Sequence, residues 1–148
     1  MNEDDKALIE RADALAEKAH AGQLDKAGHP YIDHPRAVAA MVAEHGVYAI
    51  AAALLHDAVE DTDVTLDSLR AADFPDEVVD TVDAVTRRRD ETYMDFVRRA
   101  ARHPLGRVVK LADNQHNSGR LDNLPEPERS GMARRYARAR VILLASQP

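Results

Sequence analysis

The chain has 148 residues, enough for one domain with a hydrophobic core of its own. Apolar residues make up 45% of it and aromatic residues only 4%, which favours close-packed helices over a sheet. A net charge of −6 argues against nucleic acid as the main partner, and the absence of cysteine excludes disulfides, thiolate metal sites and a thiol nucleophile.

The first half of the chain carries apolar positions at helical spacing, which predict three helices. The first covers about residues 4–21 and ends before Gly22. After an irregular stretch at 23–33, a second helix begins at Pro35, whose missing N–H has no partner in a first turn. A third covers about residues 47–61. It is apolar around most of its girth, which is typical of a helix at the centre of a bundle.

The second half continues the same pattern, with no competing segment of strand periodicity. Thr65 is placed to cap a short helix and Pro75 to open another, and further helices are expected at about 92–102, 104–119 and 126–145. The predicted fold class is all-α, a helical bundle that forms a single domain over residues 1–148.

The predicted central helix contains four ionisable side chains within its apolar run: His56, Asp57, Glu60 and Asp61. Their burial is costly unless something compensates the charge. A solvated helix edge with one satisfied core histidine would explain them without any function. The spacing favours a functional site, because Glu60 and Asp61 lie one turn beyond His56 and Asp57 on the same faces. Two ligands with two carboxylates behind them suit a metal site with acid–base groups beside it.

Two other segments offer matching ligand groups. His34 lies between Pro30 and Pro35 at the start of the second helix, where it could equally be a loop histidine near a helix end. Asp113 follows an apolar run on a later helix and shares a face with Lys110 and Asn117, where the alternative is a surface ion pair. Two imidazoles and two carboxylates suit Mn²⁺, Fe²⁺, Co²⁺ or Zn²⁺.

Four ordered motifs make the sequence similar to a known family: His20-x-Gly22-Gln23, Lys26-x-Gly28-x-Pro30-Tyr31-Ile32-x-His34-Pro35, Leu54-Leu55-His56-Asp57-x-x-Glu60-Asp61-Thr62 and Val109-Lys110-Leu111-Ala112-Asp113. Together they resemble the hydrolase domain of the RelA/SpoT family, an HD-type metal-dependent phosphohydrolase, and especially its stand-alone small alarmone hydrolases. The resemblance covers about residues 8–145.

The resemblance implies a role for each matching residue. One metal ion, most often manganese in the family, would be held by His34, His56, Asp57 and Asp113. Glu60 and Asp61 would handle the attacking water and the proton to the leaving group. Lys26 and Tyr31 would line the nucleotide pocket, and Asn117 would contact the substrate.

One position departs from the family pattern. Asp25 stands where the family usually has an arginine that packs against the guanine base, and an aspartate can neither stack nor supply positive charge. We therefore expect relaxed discrimination between guanine and adenine. His20 is expected to support the site without binding the metal. The other histidines, namely His29, His45, His103 and His116, are interpreted as surface or loop residues.

The leading hypothesis is an enzyme that cleaves a 3′-pyrophosphate or 3′-phosphate from a purine nucleotide with a metal-activated water. One alternative is an HD-type nucleotidase acting on other phosphoesters. Another is a non-catalytic nucleotide-binding or antitoxin-like module, against which the intact Glu60–Asp61 pair argues. The acidic amino end lacks a signal-peptide pattern and no apolar run approaches the roughly 20 residues of a membrane span, so we expect a cytoplasmic protein without a membrane partner. The oligomeric state is left open.

Overall fold

The computed structural model describes residues 1–145, and over that range its secondary structure is helical, which confirms the predicted all-α class. Its strand-like pairing within that range is an isolated bridge between Leu24 and Pro30. No helix of the described range is long and apolar enough to cross a membrane. The α-helices are α1 (Glu3–Ala19), α2 (Asp33–Met41), α3 (Val47–Leu55), α4 (Ala58–Asp61), α5 (Leu66–Ala71), α6 (Asp76–Ala84), α7 (Tyr93–Ala101), α8 (Pro104–Ser118) and α9 (Glu128–Ala145), with one 3₁₀ turn at Ala43–His45.

Helix α3 forms the centre of the bundle, as its apolar composition predicts. It packs against α1, α2, α6 and α8, and its residues from Ala51 to Leu55 are all buried. Alanines occupy much of this surface, so the neighbouring helices can approach closely and the core is filled mainly by their Leu and Val side chains. The helices that surround α3 are therefore held at fixed positions around one rigid element.

The helix predicted over residues 47–61 is interrupted at His56 and Asp57, which separate α3 from α4. The cause is local competition for one carbonyl group. The His56 ring lies with Nδ1 2.6 Å from the carbonyl oxygen of Ala53, the oxygen that an α-helical Asp57 N–H would use. The ring occupies this acceptor, and helical hydrogen bonding is seen again where the Asp61 N–H donates to the Asp57 carbonyl oxygen at 3.0 Å.

Helix α2 begins at Asp33, two residues earlier than predicted. Ile32 already has helical dihedral angles, and the Asp33 and His34 N–H groups donate to Pro30 and Tyr31 in the preceding turn. Pro35 is accommodated because none of the first four N–H groups of a helix has an intrahelical partner. His34 consequently lies on the helix and is buried, rather than in the loop.

Helices α6, α7 and α8 meet at Gly106, near the start of α8. A Cβ atom built on Gly106 would lie 2.9 Å from Ala84 Cβ on α6 and 3.2 Å from the Ala100 carbonyl oxygen on α7. Both of these atoms belong to rigid parts of the structure. Glycine is required here because the helices approach too closely for a side chain.

We expect Gly106→Ala to lower the free energy of unfolding by about 1–3 kcal/mol, the usual cost of overpacking a core. Gly131→Ala is the matched control, because nothing lies within 4 Å of the Cβ position at this glycine of α9. Alanine there should raise the stability by about 0.5–1 kcal/mol through its better helix propensity. Urea denaturation of both variants at equal metal content measures the difference, and equal stabilities would contradict the packing argument.

Candidate metal centre and active site

Four side chains that could bind a metal converge from three separate parts of the bundle. His34 comes from the first turn of α2, His56 and Asp57 from the break between α3 and α4, and Asp113 from α8. One potential ligand atom of each residue lies within 4.8 Å of those of the other three. The structure thus brings together the four residues for which the sequence predicts metal binding.

The Nε2 atoms of the two histidines face the two carboxylates. His34 Nε2 lies 2.8 Å from Asp113 Oδ1 and 3.5 Å from Asp57 Oδ2. His56 Nε2 lies 3.2 Å from each of the same two oxygen atoms. Two nitrogen and two oxygen atoms therefore surround one point.

The other nitrogen of each ring is already engaged. His56 Nδ1 lies against the Ala53 carbonyl oxygen, an acceptor, so this nitrogen carries the hydrogen and donates. His34 Nδ1 lies 2.7 Å from His116 Nδ1, and the two rings are stacked with their centroids 4.9 Å apart. In both histidines the outer contact fixes the ring and leaves Nε2 directed towards the centre.

Asp113 is a buried carboxylate that receives hydrogen bonds at both of its oxygen atoms. Lys110 Nζ donates to Oδ2 at 2.9 Å, and Asn117 Nδ2 donates to Oδ1 at 3.1 Å. Burial alone would raise the pKa of Asp113, but the Lys110 charge and the hydrogen bonds from the two histidines hold this pKa well below its usual value. Asp113 is therefore ionised at neutral pH. Its partner Lys110 is itself buried, not at the surface.

Asp57 is held in a similar way by Tyr31, whose hydroxyl donates to Asp57 Oδ2 at 2.7 Å. Burial would raise the pKa of Asp57, but His56 outweighs it and lowers this pKa to about 2. Burial and the Asp57 charge raise the pKa of Tyr31, so the phenol remains a neutral donor. For His56, burial opposes the charged form, whereas the two aspartates raise the pKa well above its usual value.

The donor set fits a divalent cation. Two carboxylates and two imidazole nitrogens are the ligands that Mn²⁺, Fe²⁺, Co²⁺ and Zn²⁺ bind, and each ligand here is oriented by a second contact. Asp113 is buried and Asp57 is largely shielded from solvent, so a divalent cation between them would neutralise two carboxylates that water solvates poorly. The residues therefore suit a divalent metal, and its identity is taken up below.

Glu60 and Asp61 lie on α4, directly after the break that carries His56 and Asp57. Both retain considerable exposure to solvent, yet the surrounding protein partly buries them. This burial and the nearby charge of Asp57 raise the pKa of both carboxyl groups. Glu60 Oε1 accepts a hydrogen bond from the Arg87 backbone N–H at 2.8 Å, and no other described residue bonds to Oε2.

A cavity of about 630 Å³ opens beside the centre and is walled partly by His34 itself. Its size suits a nucleotide-sized ligand. The described residues around it include Lys26, Tyr31, Asn117, Arg120, Met132 and Tyr136. Lys26 and Asn117 thus line the same cavity, and Tyr31 both lines it and donates to Asp57.

Asp25 lies in the same wall, but its carboxylate is occupied by its own loop. Oδ1 accepts hydrogen bonds from the N–H groups of Ala27 and His29, each at 2.9 Å. Oδ2 lies 3.7 Å from an amino group of Arg120. The Asp25 carboxylate therefore stabilises the conformation of the loop at residues 25–29, independently of any contact with a substrate.

Two residues of this site were not identified from the sequence. His116, interpreted there as a surface or loop residue, stacks on His34, and its place three residues after Asp113 on one helix face could have indicated this. Arg120 donates to Asn117 Oδ1 at 2.9 Å and brings a guanidinium group to the cavity wall beside Asp25. No spacing rule in the sequence distinguishes Arg120 from the other arginines.

Comparisons with known proteins agree with this geometry. A model of the HD domain family matches residues 12–146. The chain is 40% identical over 139 residues to "Probable GTP pyrophosphokinase" of Mycobacterium leprae, covering 86% of this chain and 18% of that protein. It is 38% identical over 136 residues to "Probable guanosine-3′,5′-bis(diphosphate) 3′-pyrophosphohydrolase" of Synechocystis, covering 82% of this chain and 18% of that protein. The chain therefore spans less than a fifth of the length of these curated relatives.

A solved structure described as a metazoan ortholog of SpoT that hydrolyzes ppGpp superposes with a TM-score of 0.79. The two proteins are 26% identical, and the match covers 93% of this chain and 85% of the other. With the family model matching nearly the whole chain, and with these relatives, the chain belongs to the HD domain family and is related within it to the RelA/SpoT proteins.

Proposed function

We propose that the chain is a metal-dependent phosphohydrolase that removes a 3′-pyrophosphate, or a 3′-phosphate, from a purine nucleotide. One observation carries the proposal: two imidazoles and two carboxylates from three segments converge beside a nucleotide-sized cavity, with two further carboxylates on the adjoining helical turn. The name of the Synechocystis relative and the description of the metazoan structure support the same substrate class. Among the ions that this donor set suits, the family resemblance favours Mn²⁺, and we propose the cytoplasm as the location of the protein.

Different residues of the chain would have different roles in the reaction. His34, His56, Asp57 and Asp113 would hold the cation, which supplies Lewis acidity by making water more acidic and withdrawing charge from a phosphoryl oxygen. Glu60 and Asp61, whose pKa values are raised, would each exchange a proton, one with the attacking water and one with the leaving oxygen. At Glu60 the atom that exchanges the proton is Oε2, because Oε1 holds the Arg87 N–H.

Substrate binding would involve the opposite side of the centre. Lys26 and Arg120 bring positive charge to the cavity, and Asn117 and Tyr31 bring hydrogen-bonding groups. The Lys26 ammonium pairs with exposed Glu128 at 3.0 Å and is free to exchange this partner for a phosphate, since exposed ion pairs are weak. Backbone N–H groups already occupy the Asp25 carboxylate. The purine base of the nucleotide would therefore meet few free polar groups on the cavity wall that contains Asp25.

Metal content tests the proposed ligands. Asp57→Asn and Asp113→Asn preserve shape but remove the charged oxygen ligand, so each should lose the stoichiometric ion that the wild type retains through gel filtration. Added Mn²⁺ should raise the melting temperature of the wild type but not of the variants, because binding to the native state alone stabilises it. Asp122→Asn, which changes an exposed aspartate, is the control. Full metal retention by Asp113→Asn would refute the site.

Conservative changes at the acid–base pair separate chemistry from binding. Glu60→Gln and Asp61→Asn should keep the metal and the fold but lower kcat by about 10²–10⁴, the usual contribution of a positioned acid–base group. Asp63→Asn, two residues further along and exposed, should leave kcat unchanged. Loss of the metal from either variant would make that residue a ligand, and wild-type turnover in both would leave the pair without a role.

The substrate class is tested by comparing kcat/KM for 3′-pyrophosphorylated guanosine and adenosine nucleotides with kcat/KM for simple 5′-monophosphates. We expect the first two to be hydrolysed with values within about tenfold of each other, or about 1.4 kcal/mol. Arg120→Gln should raise KM for both with little change in kcat, since Arg120 contributes to binding, whereas exposed Arg102→Gln should not. Turnover of the 5′-monophosphates alone would replace this proposal with the HD-type nucleotidase.

A further inference from the structure

The loop between α6 and α7 is held by one arginine of α7. Arg99 donates from Nε and from one terminal nitrogen to the two carboxylate oxygens of Glu91, at 2.7 and 2.9 Å. Its terminal nitrogens also donate to the backbone carbonyls of Asp83 at 2.9 Å and of Thr86 at 2.7 Å. One guanidinium group therefore joins the end of α6 and the loop after it to the last turn of α7.

This contact is shielded from water, unlike the other ion pairs of the same helix. The Arg99 and Glu91 side chains are 19% and 13% exposed, whereas those of neighbouring Arg98 and its partner Asp95 are 50% and 63% exposed. The hydrogen bonds from Arg99 lower the pKa of Glu91 to about 2. A bidentate, shielded pair holds its geometry far better than an exposed one.

The peptide group that Arg99 holds also contacts Glu60. Arg99 binds the Thr86 carbonyl oxygen, and the N–H of the same peptide group belongs to Arg87 and donates to Glu60 Oε1 at 2.8 Å. A trans peptide group is planar, and its C=O and N–H point in opposite directions. Fixing the direction of the carbonyl therefore fixes the direction in which the N–H points.

We propose that Arg99 is a positioning residue for Glu60: by holding the Thr86–Arg87 peptide group from its carbonyl side, it directs the Arg87 N–H at the Glu60 carboxylate. Glu60 is otherwise exposed and has rotatable bonds that would let its carboxylate turn away from the metal centre. The bond at Oε1 restrains the carboxylate and leaves Oε2 without a hydrogen-bond partner among the described residues. This inference rests on the proposed function in assuming that Glu60 exchanges a proton.

A purely structural role of Arg99 would have a different signature. Loosening of α7 would affect the whole molecule, including Lys110, which lies 4.7 Å from the Phe96 ring centroid of that helix and binds Asp113. Stability, metal content and turnover would then fall together, independently of Glu60. A positioning role acts through Glu60 alone, so its effect on turnover disappears once Glu60 no longer exchanges a proton.

The experiment measures kcat for Arg99→Gln in the wild-type and Glu60→Gln backgrounds, with metal content determined in each. Arg98→Gln is the matched control, since it removes the same charge from the next residue of the helix. We expect Arg99→Gln to lower kcat about 10–10²-fold in the wild type, the scale of a misplaced reacting group, with the metal retained. In the Glu60→Gln background the further loss should stay within about twofold. An equal loss in both backgrounds would overturn the proposal.

The Arg87 amide resonance in a ¹H–¹⁵N spectrum gives a readout that does not depend on turnover. Its shift should change in Glu60→Ala, which removes the acceptor, and change in the same direction in Arg99→Gln but not in Arg98→Gln. Glu91→Gln weakens the same contact from its other end and replaces Arg99→Gln if that variant does not fold. An unchanged Arg87 resonance in either folded variant refutes the positioning role. Absence of turnover with every nucleotide would refute the proposed function, while this amide test would still decide the position of Glu60.

Discussion

The negative charge of Asp113, buried where α2, α3 and α8 meet, is the constraint on which the centre of this protein depends. An isolated carboxylate in an apolar interior costs more than the whole stability of a small domain, so it must be compensated by its neighbours. Its two oxygens contact His34 of α2, His56 at the end of α3, and Lys110 and Asn117 of α8 itself. Satisfying this single group therefore fixes the relative positions of α2, α3 and α8, the elements that carry the metal ligands.

The compensation extends from Asp113 to α7 through Lys110. Its ammonium group is buried and lies 4.7 Å from the Phe96 ring centroid and 5.5 Å from that of Tyr93. Aromatic faces attract a cation and replace part of its lost hydration. Helix α7 is in turn anchored to α9 by a separate apolar cluster around Val97 and Leu143. A helix with no proposed ligand thus contributes to the centre, both through Lys110 and through the loop contact that Arg99 makes.

The two sides of the metal centre differ in chemistry: one suits ligand binding and the other suits proton transfer. On the side of α2 and the end of α8, a large cavity is lined by Lys26, Asn117 and Arg120, groups for which we propose a role in ligand binding. On the side of α4, Glu60 and Asp61 have raised pKa values, which suits groups that gain and lose protons. The interruption at His56 separates α4 from α3. The proposed metal ligands His56 and Asp57 therefore lie in the break, and Glu60 and Asp61 lie on the helix that follows it.

The sequence by itself determined the helices and the chemical types at the centre. Helical periodicity and caps located the elements because those signals are local, and ionisable residues inside an apolar run indicated the site because their burial needs compensation. The folded structure decided which partner each of these polar groups meets. The break at His56 follows from a ring turned onto the Ala53 carbonyl, and the stacking of His116 on His34 joins residues 82 positions apart. The sequence likewise did not reveal that Asp25 bonds to its own loop or that the Arg87 N–H donates to Glu60. A spacing pattern shows which face a side chain occupies, but not which of several hydrogen-bond partners it meets.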